Sequence, residues 1–473
     1  MVHLKHMGPR AIAFLTSLFN RSILRADVPS IWKFLLVIPV LKPGKDPSLG
    51  PSYRPISLLC PASKVLERLL LPYVNEGIRL DSSQHGFRAK RSPTTALLPL
   101  VQTIASGFNE QKPPKRTVMA AVDLSRAFDT VDHDILRSKL TTSQIHSNVI
   151  RWISVWLKGR HQSVLHKGKR SKWKQNRLGV PQGAVLSPTL FNLYVSEFPE
   201  IESEKVLFAD DITVFASAVD ITEAETQLSR DLEKVSDWAA ALKLDISAPK
   251  SSVTLFSPST HEFHYHPQVT MDGSVVPLNK NPKILGVTLD PLFTFSPHVQ
   301  EIVKASNQRH KVLQALAGTS WGQDAETIIL TYKALVRSKI DYAAPVWLPN
   351  LKPSSLNRLQ RIQNAALKVA TGNHLMASWH HVHNEAKLLS VEEHCEMLSV
   401  QLLIACLQPD HPSFEVVNKP RGPRDKKKTL KSAYIDQITP YLVNGSIPAA
   451  ACSQIHTSFV RNSSALNTPN PNP

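Results

Sequence analysis

The chain has 473 residues, 42% hydrophobic and 20% charged, a globular composition long enough for roughly two to four domains and a substantial core. Its 55 lysines and arginines against 38 acids leave +17, which implies a polyanionic partner, most simply nucleic acid. No apolar run spans a bilayer and no signal peptide opens the chain. Four dispersed cysteines (Cys60, Cys395, Cys406, Cys452) argue against a disulfide framework or zinc knuckle and fit a reducing compartment.

Residues 10–20 read as an amphipathic helix and Trp32 to Leu41 as a strand, followed by a Gly/Pro/Lys-rich loop from Lys42 to Tyr53. Residues 62–78 read as a helix with Val65, Leu66, Leu69 and Tyr73 on one face. Residues 109–116 are a polar connection into a strand, 117–122, that delivers Asp123. Ser187 before Pro188 predicts an N-cap and first turn for a helix over 188–197. Lys205–Phe208 and Ile212–Phe215 read as two strands joined by a tight turn with Asp210 and Asp211 at its tip. Thr222 to Glu225 matches a capping box, opening a helix whose stripe of Leu228, Leu232, Val235, Trp238 and Leu242 is core packing.

Ser251–Phe256 alternates like a half-buried strand. Residues 297–371 are helical apart from a Pro-bearing turn near 345–353. Beyond about 410 come a basic stretch, 419–431, and an Asn/Pro tail expected to be disordered and dispensable for chemistry. His374, His380, His381 and His383 lack the cysteines and the repeat of a zinc site.

Read alone, Asp210-Asp211 is a polar hairpin turn. Laid beside the strand ending in Asp123, it gathers three carboxylates at one sheet edge, a costly cluster unless divalent cations occupy it. Between these acids stands Gly179-Val180-Pro181-Gln182-Gly183-Ala184. The order Asp123, Pro181-Gln182-Gly183, Ala209-Asp210-Asp211 resembles the catalytic core of reverse transcriptases. Longer strings resemble the non-LTR retrotransposon branch, jockey-like elements especially. They are Tyr53-Arg54-Pro55-Ile56-Ser57-Leu58-Leu59, Lys64-Val65-Leu66-Glu67-Arg68, Gln84-His85-Gly86-Phe87-Arg88, and Asp123 through His133. Lys283-Ile284-Leu285-Gly286-Val287 and the helix 359–367 are further matches, and the resemblance runs from about residue 20 to about 390.

The resemblance implies an α+β right-hand polymerase fold, with an antiparallel palm sheet backed by helices and a helical C-terminal region. It divides the chain into fingers (1–116, truncated at the N-terminus), palm (117–290, with an inserted segment about 135–178), helical thumb (291–375) and a post-thumb region (376–473). Family members commonly carry an endonuclease domain upstream; none precedes residue 1, which suggests a truncated copy or a separate reading frame.

The implied activity is RNA-directed DNA polymerisation. It would extend a DNA primer on an RNA template from deoxynucleoside triphosphates, with Mg²⁺ or alternatively Mn²⁺, within the cell: nuclear during integration, cytoplasmic as a ribonucleoprotein. Asp123, Asp210 and Asp211 correspond to the metal-binding acids. Arg54 and a lysine of Lys42 and Lys45 would clamp phosphates. Gln182 and Gly183 would meet the nucleotide or template backbone, and Phe128 would sit beneath the sugar and exclude a 2′-hydroxyl. Lys250 corresponds to a candidate general acid, although Ser247 and Ser251 depart from the family's usual Asn and Thr. A catalytically inactive nucleic-acid-binding remnant and a metal-dependent nuclease are the competing readings.

Overall fold

The computed structural model describes residues 6–318, 322–374, 376–419, 423–424 and 426–442; the expected disordered tail lies outside them. After α1 (Pro9–Arg25), β1 (Phe34–Leu41) pairs antiparallel with β2 (Tyr53–Leu58). The strand starts at Phe34 rather than Trp32 because Ser30–Lys33 form a 3-10 turn that buries the indole. Helices α2 (Pro61–Gly77) and α3 (Pro93–Asn109) lead to β3 (Arg116–Asp123). Next come α4 (His133–Thr142), α5 (Ser147–Leu157), β4 (Arg160–His166), β5 (Lys169–Arg170) and β6 (Lys174–Asn176). β4 returns to pair parallel with β1, building an outer five-stranded sheet. The expected insertion is therefore helical only to Leu157, and its remainder is strand.

α6 (Ser187–Tyr194) precedes β7 (Glu204–Phe208), β8 (Asp211–Ala218), α7 (Ile221–Ala241) and β9 (Ser252–Phe256). Strands β7-β8-β3-β9 form an antiparallel central sheet. Two ribbons follow, β10 (Thr270–Met271) with β11 (Ser274–Val275) and β12 (Lys283–Ile284) with β13 (Val287–Thr288). The rest is helical: α8 (Ser296–Leu316), α9 (Ala325–Tyr332), α10 (Pro353–Thr371), α11 (Trp379–Ala386), α12 (Val391–Cys406) and α13 (Leu430–Ile438). The helical stretch breaks after Leu316 as well as near the expected turn, where Ala344–Trp347 and Leu348–Asn350 make short helical turns. No helix among the described residues is long and apolar enough to cross a membrane.

The central sheet separates two cores. Val118, Ala120, Val122, Val214, Val253 and Leu255 face one core with Leu228 and Leu232 of α7. Met119, Phe215 and Phe256 face the other, with α3 and the helices from α8 to α12. Successive side chains of a strand point to opposite faces, so a sheet covered on both sides buries consecutive residues. That explains β9, expected to be half-buried, in which Val253 to Phe256 are all buried.

Three helix expectations shift for identifiable reasons. In α2 the buried arc is Leu66, Leu70 and Val74, while Leu69 and Tyr73 are 55% and 61% exposed. Leucine at 69, 70 and 71 leaves the periodicity ambiguous between neighbouring faces. α6 begins at Ser187 and ends at Tyr194, and the Ser187 hydroxyl caps nothing. Buried Glu67 of α2 instead holds the turn that leads into the helix, its Oε2 accepting from the amides of Val185 (2.7 Å) and Leu186 (3.4 Å). In α7 the cap is Asp220, whose carboxylate accepts from the Thr222 amide, whereas Glu225 turns away to accept from Gln268 N (3.0 Å).

The C-terminal region is built into the fold. Val417, Leu430, Tyr434 and Ile438 pack with Leu98, Val400 and Leu403 in a third core. Buried Asn109 accepts from the amides of Lys426 and Lys427 (2.9 Å each), and Lys427 Nζ donates to the Phe293 carbonyl (2.6 Å). The described part of the basic stretch is thus partly internal, and the described segment beyond 410 packs into the fold. Truncation after Pro409 should lower the melting temperature sharply or abolish soluble expression. Ile438→Ala should cost about 2–5 kcal/mol in urea unfolding. A truncated chain melting like the full one would show this third core to be superfluous.

Candidate active site

The β7–β8 hairpin and β3 bring the acids together. Asp123 is the register partner of Asp211 across β3 and β8, and Phe208 is the partner of Asp211 across β7 and β8. Ala209 and Asp210 make the turn, with Ala209 in the left-handed region (φ 56°), a strained conformation for a residue with a Cβ. Burial, and secondarily Asp123, raise the Asp210 carboxyl above its ordinary range, with Arg54 opposing. Asp211 is pushed up to about 6, first by lost hydration and then by Asp210 and Asp123.

The segment after α7 wraps the end of β3. The Ser247 amide donates to the Asp123 carbonyl (2.8 Å), and the Asp123 amide donates to Ser251 Oγ (3.2 Å). The two serines that depart from the family pattern therefore make the link that delivers Lys250, whose Nζ lies 3.4 Å from Asp123 Oδ2. A cleft of about 290 Å³ is lined by Asp123, Asp211, Lys250, Ser252, Lys283 and Leu285, so the β12–β13 ribbon shares it. The turn of that ribbon uses Leu285 and Gly286 at positive φ, and the Leu285 carbonyl is held by Tyr342 Oη (2.7 Å).

The Pro-Gln-Gly loop is anchored on three sides. A Cβ on Gly183 (φ 115°) would sit 2.7 Å from the Ser57 carbonyl, and one on Gly179 (φ 83°) 2.7 Å from that of Asp129, so both closely approached positions need glycine. The Ser57 amide of β2 donates to the Gln182 carbonyl (2.7 Å). Glu67 fixes the far end. Gln182 Nε2 donates to Asp129 Oδ1 (3.1 Å), and Asp129 is raised by lost hydration against the opposing pull of Gln182, Arg126 and Lys42.

Lys42 Nζ donates to the Pro51 carbonyl (3.1 Å), whereas Lys45 is exposed on the turn beyond. Arg54 stands on β2 opposite Val40. Half-buried Phe128 stacks on buried Phe191 (4.2 Å between centroids, 16°) and meets exposed Phe87 edge-on (6.3 Å).

Among the described residues no three carboxylate, imidazole or thiol side chains converge closely enough to cage a metal by themselves. The acids nevertheless suit Mg²⁺, which needs only one or two carboxylates and completes its shell with water and substrate phosphate. Lost hydration first, and the neighbouring acids after it, raise the Asp210 and Asp211 carboxyls, while Lys250 is the cation in contact with Asp123. Within the histidine group, buried His383 bonds Asn364 and the Leu388 carbonyl.

Gln84 and Glu67 lie in strings singled out for resemblance, yet neither had a role visible in the sequence. Gln84 is buried, and its Oε1 accepts from both Gly86 N (2.8 Å) and Ala209 N (3.0 Å). The adjacent backbone bonds His85 N to Leu207 O (2.8 Å) and Leu207 N to Ser83 O (3.0 Å) complete a clasp on the acid-bearing turn. Only glycine fits at 86, where a Cβ would fall 2.5 Å from Ala209 N. Gln84→Met keeps the bulk but strands two buried donors, at about 1–3 kcal/mol each. Urea unfolding should show that loss, with faster amide exchange at Ala209 and Gly86; unchanged exchange there would remove the clasp from the site.

The profile of the reverse transcriptase (RNA-dependent DNA polymerase) family matches residues 40–289. Among curated relatives, the probable RNA-directed DNA polymerase from transposon BS of Drosophila melanogaster is 29% identical over 410 residues, 82% of this chain and 44% of that protein. The RNA-directed DNA polymerase from mobile element jockey of the same organism is 30% identical over 379 residues, 77% and 40% of the two chains. The probable RNA-directed DNA polymerase from its transposon X-element is 29% identical over 402 residues, 82% and 43%. The chain spans about two fifths of the length of these relatives. The matched segment runs from the end of β1 into β13, includes every carboxylate of the cluster, and takes in more than half of the sequence: the chain belongs to the reverse transcriptase family.

Proposed function

We propose that the chain is an RNA-directed DNA polymerase that extends a DNA primer along an RNA template using deoxynucleoside triphosphates. The observation carrying this reading is the β3–β8 register, which sets Asp123 beside Asp211 with Asp210 in the adjoining turn. In this reading the central sheet with α7 is the palm, the outer sheet the fingers, and α8 to α11 the thumb.

Asp123 and Asp210, with Asp211 beside them, would hold Mg²⁺, which supplies a lowered pKa for the primer 3′-hydroxyl and charge compensation for the leaving pyrophosphate. The 3′-oxygen bonds to the α-phosphorus as the α–β phosphoanhydride bond breaks. Arg54 and Lys42, on the strand and loop edging the site, bind the triphosphate oxygens. Gln182, its amide tied to Asp129, presents its loop to the nucleotide. Lys250, in contact with Asp123, donates a proton from Nζ to the departing pyrophosphate, and the proton of the 3′-hydroxyl passes to solvent. Most of this is positioning and electrostatics, with no covalent intermediate on the protein.

The test is primer extension on a homopolymeric RNA template with purified chain and Mg²⁺. Wild-type protein should extend, while Asp123→Asn and Asp210→Asn should lose activity by at least about a thousandfold, as expected when charge stabilisation is removed from the transition state. Template–primer binding should stay within a few-fold, because the basic surface supplies it. A variant retaining half of wild-type activity would refute the site.

Phe128, seated on Phe191, acts as the floor under the sugar. Phe128→Val should reduce the deoxy-to-ribonucleotide ratio of kcat/KM at least about tenfold, roughly 1.4 kcal/mol of discrimination. An unchanged ratio, measured with matched nucleotides on one template, would return Phe128 to the core.

A further inference from the structure

The outer sheet carries a concentration of basic residues apart from the carboxylate cleft. Residues 158–177 contain eight lysines and arginines and no aspartate or glutamate. Arg160 is buried, with Nη1 donating to the Trp156 carbonyl. The other seven are exposed, and none forms an ion pair with a carboxylate among the described residues. Elsewhere in the chain lysines do find carboxylates, as in Lys205 with Asp81 and Lys243 with Asp132. A run of like charges without counter-charges costs self-repulsion, which a polyanion relieves.

Aromatic rings interleave with these cations. Phe34 and Trp173 are each 42% exposed, and their centroids lie 5.0 Å apart with the rings nearly perpendicular. Phe34 also stacks on His161 (5.3 Å, 18°), its register partner on β4. The Arg170 guanidinium lies over the Trp173 ring, 4.3 Å from its centroid.

The placement is directional. At one end of the sheet His166 meets the ring of Tyr53, the neighbour of Arg54, so the Lys167–Lys169 turn adjoins the nucleotide end of the site. At the other end Trp173 packs on Phe34, seven residues along β1 from Leu41, the partner of Tyr53. At about 3.3 Å per residue the strip runs roughly 20 Å away from the nucleotide end. Between its ends the same face of β1 and β2 stays open, with Val40 47% and Leu58 50% exposed.

We propose that this strip, Lys167 to Lys174 with Phe34 and Trp173, binds the unpaired RNA template strand that has yet to enter the active site. Cations along a sheet edge track a phosphate backbone, and accessible aromatic rings stack on unpaired bases regardless of sequence. A duplex offers no free base faces, so the rings favour single strand over double-stranded DNA. The proposal rests on the polymerase reading for the identity of the strand, but the strip's binding is measurable without catalysis.

The test uses the full chain with five substitutions, Lys167→Gln, Lys169→Gln, Arg170→Gln, Lys172→Gln and Lys174→Gln, and separately with Trp173→Ala. Two primer–template duplexes are compared, with RNA template overhangs of about two and about fifteen nucleotides beyond the primer end. The melting temperature and extension on the short overhang should match wild type. On the long overhang the fivefold variant should bind at least tenfold more weakly, and the salt slope of log K should shrink by roughly 3, given about 0.7 per single-strand phosphate contact. Trp173→Ala should weaken the long overhang several-fold with little change in that slope. Equal loss on both overhangs, no loss on either, or a loss seen only with added duplex DNA would overturn the proposal. Failure of wild-type protein to extend any primer would sink the polymerase reading instead, while nucleotide-free binding would still judge the strip.

Discussion

Three carboxylates held at one end of the central sheet, with little positive charge against them, are the constraint on which the rest of the structure depends. Left alone, such a cluster would relax by opening the turn or by twisting one strand away. Two devices prevent that. The full β3–β8 ladder fixes Asp123 opposite Asp211, and the Gln84 clasp holds the strained Ala209 turn from outside the sheet. Lys250 is delivered to the same place by backbone and serine bonds to the end of β3 itself, so the counter-charge and the acid move as one unit.

The surrounding architecture keeps that sheet end rigid. Both faces of the central sheet are buried, one under α7 and the other under α3 and the later helices, so no strand can slip register without moving apolar side chains between cores. The third core ties the C-terminal helix to α3, which packs on the sheet. The loop carrying Gln182 is held by Glu67 after it and by Ser57 at Gln182 itself, linking it to α2 and the outer sheet. Positioning of this kind suits chemistry in which the protein supplies geometry and charge rather than a nucleophile.

Much of the central sheet was legible in the sequence because its strands are short apolar runs ending in acid, a pattern with few alternative meanings. Asp123, Asp210 and Asp211 lie together at one end of the sheet with Lys250 against Asp123, whereas the side chain of Gln182 goes to Asp129. Long-range partners were not legible. Nothing local distinguishes Glu67 as the partner of a turn more than a hundred residues away, and Ser187 was the natural local choice of cap. Gln84 is one polar residue in a short string until the fold sets Ala209 against it. In the basic stretch 419–431, sequence cannot show that the Lys427 ammonium reaches the Phe293 carbonyl. The strand character of residues 160–176 was hidden in a segment whose first half is helical, and with it the paired aromatic and cationic strip.

The central claim, that the acids repel one another at the sheet end and suit a divalent cation, is most directly tested by thermal melting in metal-free buffer from pH 4 to pH 8. Asp211 has a folded pKa of about 6 against an ordinary value of 3.8, so the folded state holds its proton more tightly than the unfolded chain. Its contribution to stability is therefore greatest below the ordinary value and is lost as pH rises through about 6. Asp211→Asn should flatten that part of the profile and melt higher than wild type at pH 7.5 without metal. Millimolar Mn²⁺ should then raise the wild-type melting temperature more than that of the variant. Identical pH profiles for the two proteins, with no preferential Mn²⁺ effect on wild type, would contradict the claim.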